Sequence, residues 1–230
     1  MILSDRDIDK TNAAFPTLLL MGGIHHHLVG KGTRKRCSII LETGEAREVH
    51  HFSTLIGYGA DAINPYMVFE SLHQMITDEM IEITLEKATY HFLKGSIKGV
   101  VKTMAKMGIS TVASYRGAQV FETIGLSTDL VNKYFCGTSS RCEGSDIDKV
   151  AEEALIRHRV AFPDRHIEAE EAALDTGGVY QWRSDGEYHL FNPETIHLLQ
   201  KATRTGSYEI FKQYAKKVND QSENLSTLRG

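Results

Sequence analysis

The stretch KMGISTVASYRGAQVFE, residues 106–122, decides how this chain is interpreted. A helical pattern ends at Gly108, and the apolar run 109–112 that follows predicts a short buried strand. A polar turn that contains a glycine comes next, at residues 114–119. In α/β proteins, ligand sites lie at the carboxyl ends of parallel strands. We therefore expect a functional site in this turn.

Alternating strand and helix patterns precede this stretch. Residues 17–21 and 36–42 are rich in leucine and isoleucine and lie near glycines, which predicts buried strands. A helical spacing covers residues 48–58, and a strand at 62–66 leads into a helix at 68–75. This alternation predicts an α/β fold with a largely parallel sheet.

The second part of the chain is mainly helical. Thr84 is a suitable N-cap for a long helix that ends before Gly108, and we place a domain boundary just before it, near residues 79–83. Residues 169–186 are predicted to be irregular or a hairpin, and 221–230 to be frayed. The other predicted helix starts are Ser145 or Asp146 for residues 147–161, Asn192 with Pro193 for a helix to about residue 203, and Ser207 for a last helix.

Composition argues against several classes of partner. The formal net charge of −4 over 230 residues provides no basic field for nucleic acid or an anionic membrane surface. No apolar stretch has the length of a signal peptide or a membrane span. Three cysteines suit a reducing compartment, so we expect a cytoplasmic protein. No metal site is predicted, because the adjacent histidines at 25–27 would point to opposite faces of an extended chain.

The turn at 114–119 has the groups that an anionic ligand requires. Ser114 and Gln119 offer hydrogen bonds, Arg116 offers a planar fork for phosphate or carboxylate, and Gly117 permits close approach of the backbone. A tight, well-bonded structural turn explains the same residue types. Spacing alone leaves both interpretations open.

The same stretch resembles the opening of the flavin-binding barrel in the large chain of glutamate synthase. Residues 23–28, 42–52 and 57–66 resemble the last part of the central domain of that family. Residues 180–194 continue the resemblance in one register, and it extends from about residue 1 to about residue 217.

The resemblance implies a fold and a site. Residues 1–80 would be the C-terminal part of an α/β central domain, and residues 84–230 the beginning of an incomplete TIM-type (β/α)8 barrel that binds FMN. The family makes two glutamates from glutamine and 2-oxoglutarate, with ammonia passing through a tunnel and reduced FMN delivering hydride. No catalytic residue is assigned in this chain. The residues that the resemblance places beside FMN are Ser114, Tyr115, Arg116, Gly117 and Gln119.

The resemblance also implies which parts are elsewhere. Cys136 and Cys142 have the spacing of two iron–sulfur ligands of the family, but their surroundings match a cluster-free stretch and no third cysteine follows. The cluster's cysteines are therefore expected to be absent from this chain. Expected partners are the rest of the large subunit, 2-oxoglutarate and ammonia, and a reductase subunit or ferredoxin as electron donor. The chain alone would be an incomplete catalyst. The alternative is a non-catalytic α/β scaffold or interaction module of a larger assembly.

Overall fold

A computed structural model describes residues 1–163, 180–184, 186–220 and 226. The chain divides near residue 164 into two units, which are described separately. The strands of the first unit are β1 (Ile2–Ser4), β2 (Ile40–Glu42), β3 (Ala62–Asn64), β4 (Glu122–Thr123) and β5 (Ser139–Ser140). Its helices are α1 (Thr17–Gly30), α2 (Val49–Gly57), α3 (Tyr66–Thr77), α4 (Leu85–Lys106), α5 (Val112–Tyr115), α6 (Thr128–Tyr134) and α7 (Ile147–Ala161), with a 3-10 turn at Arg34–Arg36.

A three-stranded parallel sheet organises the first unit. The strand order is β1-β2-β3, with Ile2 opposite Ile40 and Ile40 opposite Ala62. Helix α1 connects β1 to β2, and α2 connects β2 to β3, as parallel strands require. The prediction of an α/β fold with a parallel sheet is confirmed. The main core around this sheet contains Met21, Ile39, Leu41, Phe52, Leu55, Val100, Met104 and Tyr115.

Several predicted elements are confirmed together with their caps. The strand at 36–42, the helix at 48–58 and the strand and helix at 62–75 correspond to β2, α2, β3 and α3. The Thr84 side chain accepts a hydrogen bond from Lys87 N at the start of α4, and that of Asp146 accepts one from Lys149 N at the start of α7. Gly108 has a φ of +73°, as expected for the residue that ends a helix. Each of these helix ends depends on residues within a few positions of one another.

The prediction of a strand at residues 17–21 is wrong. These residues begin α1, and the helix continues through the two glycines and the three histidines that follow. A Cβ on Gly22 would lie 2.5 Å from Tyr134 O, so the glycine permits close packing of α1 against α6. A short apolar run does not distinguish a buried strand from a buried helix. Here the packing against α6 favours the helix.

The prediction of a strand at residues 109–112 is also wrong. Val112 begins the short helix α5, and no strand pairing involves residues 109–111. Thr111 caps this helix, because its Oγ1 accepts a hydrogen bond from Ser114 N at 3.2 Å. A threonine cap favours a helical turn over continued extension. The first strand of a barrel is therefore not found at this position.

Helix α4 packs into the same core as α2. The ring centroids of Phe52 and Phe92 are 6.1 Å apart in an edge-to-face arrangement, and Val100 and Met104 are buried beside them. The boundary predicted near residues 79–83 thus lies within one packed unit. The assignment of residues 84–230 to a second domain stays a prediction.

Two glycines of α4 provide a matched test of this packing. A Cβ on Gly99 would overlap Val49 Cγ2, whereas a Cβ on Gly95 would meet nothing within 4 Å. Gly99→Ala is therefore expected to destabilise the protein by about 1–2 kcal/mol, because overpacking outweighs the gain in helix propensity. Gly95→Ala is expected to stabilise it by up to about 1 kcal/mol. Denaturant unfolding of both variants tests this, and equal stabilisation by both would contradict the α2–α4 contact.

The second unit contains α8 (Pro193–Thr205) and α9 (Tyr208–Asp220). Both were predicted, and the Asn192 side chain forms a capping box with Thr195 at the start of α8. Gly206, with a φ of +64°, ends that helix, and Lys217 Nζ lies 2.9 Å from Glu194 Oε2. Most of the stretch predicted as irregular at 169–186, and nearly all of the tail at 221–230, lies outside the described residues. None of the described helices is both long and apolar enough to cross a membrane.

Candidate functional site

A cleft lies at the amino edge of the parallel sheet. Cys37 and Ser38 precede β2 and Asp61 precedes β3, and both segments line the cleft because parallel strands start at the same edge. Ala113 and Arg116 contribute from the helical turn of α5. The cleft has a volume of about 610 Å³. We call it the amino-edge cleft. Besides Cys37, its ionisable side chains are His25, Arg34, Lys35, Arg36, Asp61 and Arg116.

Asp61 is the centre of the polar network in this cleft. Its Oδ2 accepts hydrogen bonds from Arg34 Nη2 at 2.7 Å and from the Ile39 backbone N at 2.8 Å. Its Oδ1 accepts one from Arg116 Nη1. Burial alone would raise the pKa of Asp61, but the hydrogen bonds from Ile39 and Arg34 and the nearby guanidinium charges outweigh it and lower the pKa. The carboxylate is therefore ionised at neutral pH.

Arg34 joins Asp61 to the surrounding backbone. Its Nη1 donates to Cys37 O and its Nη2 to Gly59 O, both at 2.7 Å. Its Nε donates to His25 Nδ1 at 3.2 Å. Burial, and then the charges of His26 and Arg34, lower the pKa of His25 to about 4, so this imidazole is neutral at pH 7. Most of the guanidinium's donors are occupied by the fold itself, and Arg34 serves to hold the 3-10 turn against the sheet.

The structure gives the five predicted flavin residues different surroundings. Tyr115 is fully buried, and its hydroxyl donates to Ser53 O at 3.0 Å. Gly117 has a φ of +75°, and its N–H donates to Gly57 O at 2.7 Å. Both residues therefore support the turn through contacts within the protein.

The other three residues of the turn have accessible side chains but do not share one cavity. Ser114 is exposed, and its Oγ accepts a hydrogen bond from Thr111 Oγ1 at 2.8 Å. Gln119 is exposed and lies against Gly137. Arg116 is the member of the five that lines the amino-edge cleft. Within the described part of this chain the five residues do not line one common cavity, and their contact with FMN stays a prediction.

Sequence reasoning missed the partners of Arg116. No role was assigned to the basic run at 34–36, and the histidines at 25–27 were treated as an extended segment although they lie on α1. Asp61 received no role. The one available signal was an aspartate immediately before a predicted strand, in a chain with a basic run before the neighbouring strand. Among the residues that the structure describes, no group of three His, Cys, Asp or Glu side chains is placed to hold a metal ion.

The carboxyl edge of the three-stranded sheet has a polar network of its own. Asp5 accepts hydrogen bonds from Thr43 Oγ1 at 2.7 Å and from Gly44 N at 3.1 Å. Arg6 Nε donates to Glu42 Oε1 at 2.8 Å. These groups use their hydrogen-bonding capacity on one another, beside a smaller cleft of about 190 Å³. The amino-edge cleft is therefore the stronger candidate for a functional site.

Comparison with known proteins shows similarity along the chain. A sequence model of the glutamate synthase central domain matches residues 1–127. The chain is 48% identical over 229 residues to the glutamate synthase [NADPH] large chain of Bacillus subtilis (strain 168), covering 100% of this chain and 15% of that relative. It is 36% identical over 233 residues to the glutamate synthase [NADH] of Schizosaccharomyces pombe, covering 100% of this chain and 11% of that relative.

A third relative has a different electron donor in its name. The chain is 36% identical over 243 residues to ferredoxin-dependent glutamate synthase 2 of Synechocystis sp., covering 94% of this chain and 15% of that protein. The chain thus spans only 11–15% of the length of these three relatives.

Proposed function

Since this chain belongs to the glutamate synthase family, by its match to the central domain, we propose that it is part of a large chain that makes two glutamates from glutamine and 2-oxoglutarate with a reductant. The observation that carries the proposal is the 48% identity to the Bacillus subtilis large chain over the whole length of this chain. The intact protein is then an oxidoreductase of glutamate synthesis and ammonia assimilation. The relatives' names include NADPH, NADH and ferredoxin, so the proposed reductant is either a nicotinamide nucleotide or ferredoxin.

We place the start of the flavin-binding portion later than the sequence analysis did. The central-domain match through residue 127 and the packing of α4 against α2 both support a central domain that continues past residue 84. In this proposal residues 1–127 end the central domain, and the opening of the TIM-type barrel belongs to later residues. The α/β core described above then serves as the support on which that barrel begins.

FMN and an iron–sulfur cluster are proposed for the intact protein. FMN supplies the hydride chemistry when bound, and the protein orients and insulates it. Within this chain we propose that Ser114, Arg116 and Gln119 contribute accessible groups to the flavin region, while Tyr115 and Gly117 hold the turn. The three cysteines are free thiols, and we assign the cluster to other parts of the large chain.

Exposed apolar side chains support an assembly with the rest of a large chain. Ile97 and Val101 of α4 are 63% and 57% exposed, and they border an apolar groove beside β3. Such a surface is unfavourable in water and is typical of a surface that another part of a protein covers. Further proposed partners are 2-oxoglutarate, ammonia, and a reductase subunit or ferredoxin, with the cytoplasm as the location.

A chimera tests this function directly. Residues 1–230 replace the corresponding segment of the Bacillus subtilis large chain, and glutamate formation from glutamine and 2-oxoglutarate is measured with the purified chimera. We expect activity, because the exchanged segments are 48% identical throughout. A matched chimera carrying Gly95→Ala, an exposed position without neighbours, is expected to behave the same way. A folded chimera that retains its flavin but forms no glutamate would favour the scaffold alternative.

The isolated chain provides the complementary measurement. It is expected to bind FMN weakly or not at all and to form no glutamate, because barrels of this type build their phosphate site from late strands that this chain does not supply. FMN fluorescence titration with light scattering measures this. Stoichiometric, submicromolar flavin binding by a monomer would contradict the proposed division of the site.

A further inference from the structure

The amino-edge cleft has more positive charge than its internal contacts neutralise. Among the residues that line this cleft, Asp61 carries the carboxylate. Arg34 forms a close ion pair with it, with 2.7 Å between Arg34 Nη2 and Asp61 Oδ2. His25 is neutral at pH 7, because the pKa of its partly buried imidazole is about 4. The remaining cations of the cleft are Lys35, Arg36 and Arg116. The cleft is therefore a region of net positive potential in a chain whose overall charge is −4.

Arg116 has unused hydrogen-bonding capacity. Its Nη1 donates to Asp61, which already receives hydrogen bonds from Arg34 and Ile39. Its Nε is buried and, within the described residues, has no hydrogen-bond partner. A guanidinium presents five N–H donors in a planar fork that matches an oxyanion. An unpaired buried donor costs stability unless a ligand accepts from this group.

Lys35 and Arg36 are also available. Both side chains are exposed at the rim of the cleft, and neither has a carboxylate within ion-pair distance in the part of the chain that the structure describes. Arg34, the first residue of the 3-10 turn, holds this basic segment in place through hydrogen bonds to Cys37 O and Gly59 O. These two exposed cations lie on an anchored turn beside a cleft of about 610 Å³, which has room for a ligand of small-metabolite size.

We propose that the amino-edge cleft binds a small molecule through a phosphate or carboxylate group, which Arg116, Lys35 and Arg36 hold. Charge-assisted hydrogen bonds from arginine and lysine are the strongest contacts that a protein of this composition offers to an oxyanion. The ligand class is a small oxyanion. Arg116 also belongs to the turn assigned to FMN, whereas Lys35 and Arg36 of the basic segment lie outside that turn. Asp61 and Arg34 form the support that positions Arg116 and the turn.

Titration calorimetry of the full 230-residue chain tests the site. Inorganic phosphate and glutarate are titrated separately at one fixed ionic strength, so that the two arms distinguish phosphate from carboxylate recognition. We expect saturable binding of at least one probe with one site per chain. The double variant Lys35→Gln/Arg36→Gln is expected to weaken it roughly tenfold or more, as loss of charge-assisted contacts does.

A second double variant controls for overall charge. Lys98→Gln/Lys102→Gln removes the same two charges from exposed positions of α4, away from the cleft, and is expected to leave the affinity within about twofold. Circular dichroism confirms that both variants are folded. The proposal is overturned if neither probe binds saturably, if the 35/36 variant binds as tightly as the parent chain, or if both variants weaken binding equally.

Discussion

Replacing Tyr115 with alanine is expected to lower the free energy of unfolding by about 3–5 kcal/mol, the range for removing a large aromatic side chain from a core. Tyr115 has no exposed surface, and it packs edge-to-face against Phe121 with ring centroids 6.2 Å apart. Its truncation would leave a cavity beneath the turn at 114–119. Denaturant unfolding followed by circular dichroism measures the loss.

Two further variants separate packing from hydrogen bonding. Tyr115→Phe keeps the ring and removes the hydroxyl that donates to Ser53 O, so we expect a loss of about 0.5–1.5 kcal/mol. Tyr90→Ala, at an exposed tyrosine of α4, is expected to change stability by less than about 0.5 kcal/mol. A Tyr115→Ala protein that is as stable as the parent would show that this side chain is available to a ligand instead.

Asp61→Asn is expected to destabilise the protein by about 2–4 kcal/mol, because it leaves two partly buried guanidinium groups without their counterion. The side chains of Asp61 and Arg34 are 18% and 15% exposed, so solvent screens this pair less than a surface pair. Asp78→Asn provides the matched control, since Asp78 is exposed and, among the described residues, its carboxylate accepts only from Gln74 Nε2 of α3. We expect that control to stay within about 0.5 kcal/mol of the parent chain.

The effect of Asp61 should depend on pH in a defined direction. The pKa of this carboxyl is lower in the folded protein than its ordinary value of 3.8, so its contribution is fully present above that value. The contribution is lost as the pH falls through the lower, folded-state pKa. The difference in unfolding free energy between the parent chain and Asp61→Asn is therefore constant from pH 7 to 5 and narrows below about pH 4. A difference that stays constant below pH 4 would show that the charge of Asp61 does not contribute.

Residues that are close in the sequence were the most predictable part of this protein. Thr84, Asp146 and Asn192 each cap the helix that they were predicted to cap, since an N-cap side chain bonds to a backbone N–H two or three positions away. The family could also be recognised from the order of short motifs along the chain, and the comparisons confirm it.

The errors arose where two local structures were equally compatible with the residues. The apolar run at 17–21 is compatible with a buried strand or a buried helix, and its packing against α6, more than a hundred residues later, decides for the helix. At 109–112 the apolar residues suggested a strand, but Thr111 caps a helical turn there. Tyr115 was assigned to a ligand because its burial could not be deduced from its neighbours in sequence.

By itself, the sequence determined the family, the α/β class and the capped starts of α4, α7 and α8, because these depend on short-range hydrogen bonds, periodicity and motif order. Only the tertiary structure decided that Arg116 lies at the amino edge of the sheet and shares Asp61 with Arg34. These three residues are separated by 27 and 55 positions and meet because parallel strands begin at one edge. Their contacts are hydrogen-bonded ion pairs between residues that lie far apart in the sequence. No local sequence pattern determines which cation a given carboxylate will contact.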